Sequence, residues 1–134
     1  MPIYPALRYR DAGAAIDWLE RAFGFETVAR HDNPDGGVAH AELRLGDGLI
    51  MLGSGAADLQ DAPGDFRAAR ATIYVALDDV DAHHERARDA GADVSELVEQ
   101  DYGSREYAAL DLEGNHWSFG TYVPQAAAAS PDSE

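Results

Sequence analysis

LDLEGNHWSFG, residues 110–120, places a tight turn at Gly114-Asn115 between two apolar runs and follows it with His116 and Trp117. A turn pair flanked by strand-like runs reads as a β-hairpin. In a strand, neighbouring side chains point to opposite faces, so Trp117 and Phe119 take one face and His116 and Ser118 the other. Trp117 and Phe119 are assigned to a sheet–helix core. His116 and Ser118 are left facing whatever the hairpin borders.

The same arrangement occurs earlier. VAHAELRL at 38–45 alternates Ala41, Leu43 and Leu45 against His40, Glu42 and Arg44, turns through GDG at 46–48, and returns as LIMLG. Working outward from each hairpin, both halves of the chain show the same order. IYPALRYR (3–10) and ATIYVAL (71–77) read as opening strands. Asp11, and Asp78 or Asp79, are placed to cap helices that Gly24 and Gly91 terminate. Strands follow at about 25–32 and 93–98. At an offset of 67 or 68, Asp11 falls on Asp79, Tyr4 on Thr72, Leu43 on Leu110 and Gly53 on Gly120. The chain reads as an internal duplication of a β-α-β-β-β unit. Module one spans 1–53, a connection without periodicity spans 54–70, and module two spans 71–123 of a single domain at 1–123. The tail at 124–134 reads as disordered.

The chain has 134 residues and a formal net charge of −15, and all ten basic residues are arginine. Nucleic-acid binding needs a basic footprint, so this field opposes it. No apolar run approaches the roughly 20 residues of a membrane span, and no secretory signal is evident, so a cytoplasmic location is expected. With no cysteine there is neither a disulfide framework nor a thiolate nucleophile.

Paired β-α-β-β-β modules, the opening YRDAGAAIDWLERAFGFE and the closing DLEGNHWSFGTY resemble the vicinal-oxygen-chelate superfamily of glyoxalase I, extradiol dioxygenases and antibiotic-resistance proteins. HAELRLGDGLIMLG and DYGSREYAALDLEGNHWSFG are most similar to its glyoxalase/bleomycin-resistance-like subgroup. The resemblance implies an α+β fold whose two modules form a mostly antiparallel half-barrel cup, and a homodimer with pockets shared between chains. It also places the usual metal ligands at Tyr4 and Thr72 on the first strands and at Met51 and Ser118 on the last. None of these is a His, Gln or Glu. Hydroxyl and thioether groups are poor ligands for divalent zinc, nickel or iron.

The expectation is therefore a metal-independent, cofactor-free binding protein of the bleomycin-resistance type, which sequesters an aromatic or cationic molecule such as an antibiotic. Tyr4, Tyr74 and Tyr107, with Arg8, Met51, Ala109 and Ser118, are expected to line the cup. Tyr102 and Arg105, in the loop entering the penultimate long strand, and Phe66, in the connection, are positioned to close over it. His40 and Glu42, two apart on one strand, share a face. Glu42 is expected to meet a positive group, either on the ligand or on Arg8 or Arg44. The alternative is a lyase, isomerase or dioxygenase of the glyoxalase type, using His40, Glu42 and His116 as a non-standard metal site. Adjacent helical residues point roughly 100° apart, so His83 and His84 are read as packing or surface groups. His31 reads as a polar strand end, and Trp18 as a helix flank or subunit contact.

Overall fold

The computed structural model describes residues 3–55, 72–101 and 103–124. Most of the connection, Phe66, Tyr102 and the tail from 125 onward lie outside the described residues.

Module one runs β1 (Ala6–Tyr9), α1 (Ala12–Trp18), a π-helical turn (Leu19–Phe23), β2 (Glu26–Asp32), β3 (Val38–Leu45) and β4 (Gly48–Ser54). Module two runs β5 (Thr72–Ala76), α2 (Val80–Asp89), β6 (Asp93–Val94), β7 (Val98–Glu99), β8 (Arg105–Leu110) and β9 (His116–Gly120). Each module is one sheet. The first has the order β1-β4-β3-β2. The second has the order β5-β9-β8-β6, with β7 also on β8. In both, the first strand pairs parallel with the last, and all other pairings are antiparallel. The fold is α+β with two open sheets. One element departs from expectation, because the strand read at 93–98 is broken into β6 and β7.

The duplication extends to the caps. The Asp11 carboxylate accepts from Ala14 N, and that of Asp79 from Ala82 N, each at 3.0 Å. This settles the second cap on Asp79. Gly24 and Gly91 follow their helices in the left-handed conformation, as a helix terminator requires.

Each sheet has a covered face and an open one. Ala41 and Leu43 of β3, Ile50 and Leu52 of β4, Tyr107 and Ala109 of β8, and Trp117 and Phe119 of β9 are all buried. The two modules share one aromatic core. Phe23, at the end of the π-helical turn, meets Trp117 at 5.3 Å and Phe119 at 4.9 Å, and Phe25 meets Trp117 at 5.7 Å. Edge-on and offset rings of this kind add about 0.5–1.5 kcal/mol per pair beyond their buried area. Trp18 packs edge-on against Phe23 at 4.9 Å, which places it on the flank of this core.

A buried carboxylate completes the join. Asp111, at the end of β8, accepts from Tyr9 Oη (2.7 Å), Trp117 Nε1 (3.1 Å), the Asn115 side-chain amide (3.0 Å to Oδ2) and the backbone N–H groups of Glu113 and Asn115 (3.0 Å each). Next to it, Glu113 accepts from Arg10 N and Asp11 N. The second hairpin is thereby held on the β1–α1 junction of the first module. Burial, and then the Asp111 charge, push the Tyr9 phenol far above its ordinary range.

Candidate functional site

The open face of the first sheet carries Ala6 and Arg8 from β1, Met51 and Gly53 from β4, and His40 and Glu42 from β3. Register sets Ala6 and Glu42 on either side of Met51, and Arg8 beside Gly53. A Cβ at Gly53 would stand 2.9 Å from Arg8 Nη1 and 2.8 Å from the Ala39 carbonyl, so glycine is what lets the arginine lie flat over this strand. Glu42 Oε2 lies 2.9 Å from His40 Nε2, and Arg44 pairs with Glu26. The His40–Glu42 pair is half-buried.

The open face of the second sheet carries Thr72, Tyr74 and Ala76 from β5, His116, Ser118 and Gly120 from β9, and Glu106, Ala108 and Leu110 from β8. Tyr74 stands beside Ser118, and Ser118 beside Ala108. A groove of about 210 Å³ opens here, between β8 and the β6–β7 segment. It is lined by Ser95, Val98, Gln100, Glu106 and Ser118, together with Tyr107 and Ala108 on the strand between. Its wall is fixed by Ser95, whose hydroxyl accepts from Ala108 N at 2.9 Å.

Several expected site residues are elsewhere. Tyr107 does not face the open side. It is 2% exposed, stacks on Phe119 at 5.1 Å and donates its hydroxyl to His83 Nδ1 at 2.6 Å. Burial raises its pKa, so it is neutral and is part of the core. Ala109 is buried beside it. The cause is a single residue of register. By pairing, Ala41 matches Tyr107 and Leu43 matches Ala109, an offset of 66, whereas Ile50 matches Trp117 and Leu52 matches Phe119, an offset of 67. The second hairpin has one extra residue in its turn, and a slip of one exchanges the faces of a strand. Read with the corrected offset, the counterpart of His40 is Glu106, which sequence reasoning missed.

Arg105 shares the covered face. Its guanidinium bonds Asp81 of α2 at 2.7 Å, with Glu99 at 3.4 Å, so it holds α2 to β8 instead of reaching a ligand. Tyr4 lies ahead of β1, 46% exposed. His116 is on the second sheet, apart from the His40–Glu42 pair on the first. Among the described residues no three His, Asp or Glu side chains form a metal-holding group. The donor set at Tyr4, Thr72, Met51 and Ser118 does not fit a divalent metal either, since it offers three hydroxyls and a thioether without a carboxylate or imidazole.

His83 has a definite task. The Phe23 carbonyl can only accept, so His83 Nε2–H donates to it at 2.8 Å and Nδ1 accepts from Tyr107. Burial lowers its pKa and keeps it neutral. The packing role expected of the HHE run is therefore filled by a bridge between the two modules. His84 Nε2 lies 2.8 Å from the Ser95 carbonyl.

Residues 3–119 match the sequence profile of the Glyoxalase/Bleomycin resistance protein/Dioxygenase superfamily. An uncharacterized protein of Mycobacterium bovis is 35% identical over 124 residues, covering 89% of this chain and 82% of that protein. Among solved structures, TioX from Micromonospora sp. ML1 superposes with a TM-score of 0.76 at 30% identity, covering 91% of this chain and all of TioX. A bleomycin-binding protein complexed with bleomycin superposes with a TM-score of 0.68 at 18% identity, covering 92% and 99%, and at that identity the likeness is one of fold. Duplicated modules, parallel closure of first strand on last, and a profile match across both sheets agree that this chain belongs to the glyoxalase/bleomycin resistance/dioxygenase superfamily.

Proposed function

We propose that this chain is a cytoplasmic protein that binds a small, flat organic molecule on the open faces of its sheets, by stoichiometric capture without a metal. The observation that carries the reading is the composition of those faces. Ala6, Met51, Tyr74, Ala108 and Ser118 give an adaptable and mostly uncharged surface, while the positions the family uses for metal carry no carboxylate or imidazole. Met fills irregular shapes and aromatic faces stack on flat rings. The likeness to a protein crystallised with bleomycin supports the same reading.

One chain offers two half-sites. The 210 Å³ groove is smaller than the roughly 300–1,000 Å³ of ordinary ligand pockets. Ala6, Thr72, Ala76 and Ala108 are exposed strand residues with short side chains. A second copy, laying its first sheet across the second sheet of this one, covers these faces and enlarges the pocket. The functional unit is then a homodimer with two pockets.

The test is titration calorimetry of bleomycin and planar aromatic antibiotics with excess EDTA present, alongside sedimentation. The expected result is a dimer that binds one ligand per chain regardless of chelator, and that loses binding in Ser118→Trp with its fold retained. Binding or turnover abolished by EDTA and restored by zinc would overturn it in favour of a metal enzyme.

A further inference from the structure

Both modules carry a β-bulge at the same place in the repeat, and a groove opens beside the second. On β2, Val28 is the extra residue between the pairs Thr27–Leu43 and Ala29–Glu42. On the matching edge of the second module, Val94 pairs with Ala109 and Val98 with Glu106, so residues 95–97 stand against only 107 and 108. Leu43 matches Ala109 in the duplication, which sets Val28 on Ser95. An extra residue drops out of the ladder and bends its strand. In the first module pairing resumes at once, with Ala29 on Glu42 and Arg30 on Ala41. In the second it resumes only at Val98.

The side chain at the bulge accounts for the difference. Ser95 Oγ accepts from Ala108 N at 2.9 Å and donates to the Glu96 carbonyl at 3.0 Å, while Ser95 N donates to the Ala108 carbonyl at 2.8 Å. The hydroxyl takes the place of a strand carbonyl for the Ala108 amide, which must be paired somewhere. The backbone after Ser95 is thereby released from the ladder. From the other side, His84 Nε2–H donates to the Ser95 carbonyl at 2.8 Å and pins the bulge to α2. Val94 and Leu97, three apart, both pack against the core, which leaves Ser95 and Val98 to the groove of about 210 Å³. Val28 has no oxygen with which to do the same.

We propose that the Ser95 bulge builds the ligand groove, with Ser95 as its positioning residue, so that the captured molecule is held at this edge of the second module and not at the matching edge of the first. This rests on the binding reading above and adds the place and the device to it. Valine at position 95 would leave the Ala108 amide without its acceptor. The segment would then fall back into the ladder as Ala29 and Arg30 do, and the groove would close.

The experiment titrates bleomycin into the full chain by calorimetry with EDTA present, and compares Ser95→Val with Ser95→Thr. The two substitutes have nearly the same shape and differ in the hydroxyl. Ser95→Val should weaken binding by at least about tenfold, the effect of one hydrogen bond left unmade and a contact surface lost. Ser95→Thr should stay within about threefold of the unaltered chain, since it restores the acceptor. Val28→Thr, at the matching bulge, should leave the affinity unchanged. Equal affinities of the Val and Thr variants overturn the positioning role and leave the binding reading standing. A second measurement needs no variant. In the ¹⁵N spectrum of the unaltered chain, bleomycin should shift the amides of Ser95, Val98 and Ala108 and leave those of Val28 and Ala29 in place. Saturable binding without shifts at Ser95, Val98 and Ala108 overturns the groove as the site. Absence of saturable binding overturns this inference and the binding reading together.

Discussion

The two modules share a frame and differ on the face they leave open. Both cap their helix with an aspartate at 3.0 Å. Both stop it at a left-handed glycine, and both bury the same strand positions. At the duplicated pair Gly53 and Gly120 each removes a side chain so that another can lie over the strand, but the occupant differs: Arg8 over Gly53, Glu106 and Tyr74 over Gly120. Duplication preserved what folds and diverged where a ligand would touch. The modules also differ at their hairpin turns, since Asp47 is exposed whereas Asp111 ties the second turn to the first module.

Asp111→Ala removes the shared acceptor of Tyr9, Trp117 and two backbone N–H groups, and should lower stability by about 3–5 kcal/mol in denaturant titration. Asp47→Ala should stay within about 0.5 kcal/mol. Comparable losses at the two turns would remove Asp111 from its place as the inter-module tie.

The paired glycines differ in what a side chain there would displace. At Gly53 a new Cβ meets the Ala39 carbonyl, and backbone must move, so Gly53→Ala should cost about 2 kcal/mol. At Gly120 the obstacles are side chains, which can turn aside. Gly120→Ala should cost about 1 kcal/mol while displacing Glu106 and Tyr74 and weakening ligand binding. The reverse order of stabilities would mean that the sheets are not equivalent. The caps should behave alike: Asp11→Ala and Asp79→Ala are each expected to cost about 1 kcal/mol by thermal melting.

The smallest effect concerns pH. The folded protein holds His83 below its ordinary value of 6.5, so the unfolded chain takes up the proton first as pH falls. The stability His83 contributes is complete above about 6.5 and declines as pH drops toward the depressed folded value. Melting measured across that window should fall more steeply for the native chain than for His83→Gln.

How much of this was legible depends on whether a signal was local. Hydrophobic alternation and turn residues located β3, β4, β8 and β9, because each strand's pattern is written in its own residues. The face of β8 was not legible. Tyr107 and Glu106 exchange sides according to one residue in the β8–β9 turn, and the repeat, aligned by its leucines, gave the wrong count. Asp111 gave no sequence signal, since its partners Tyr9 and Trp117 are brought to it only by packing of the modules. The same holds for His83, whose acceptor Phe23 belongs to the other module. Arg105 was expected at the mouth of the pocket for want of knowing that Asp81 stands over it.

The most direct test of the central claim, that ligand sits between the open faces of both sheets, is the methyl signal of Met51. The chain has two methionines, so ¹³C-methyl-methionine labelling gives a two-signal spectrum that Met51→Leu assigns. Titration with bleomycin in EDTA should shift the Met51 methyl saturably, with the same affinity as calorimetry, if the first sheet closes the pocket begun by the second as proposed. A Met51 signal that stays in place while the ligand binds would contradict the account.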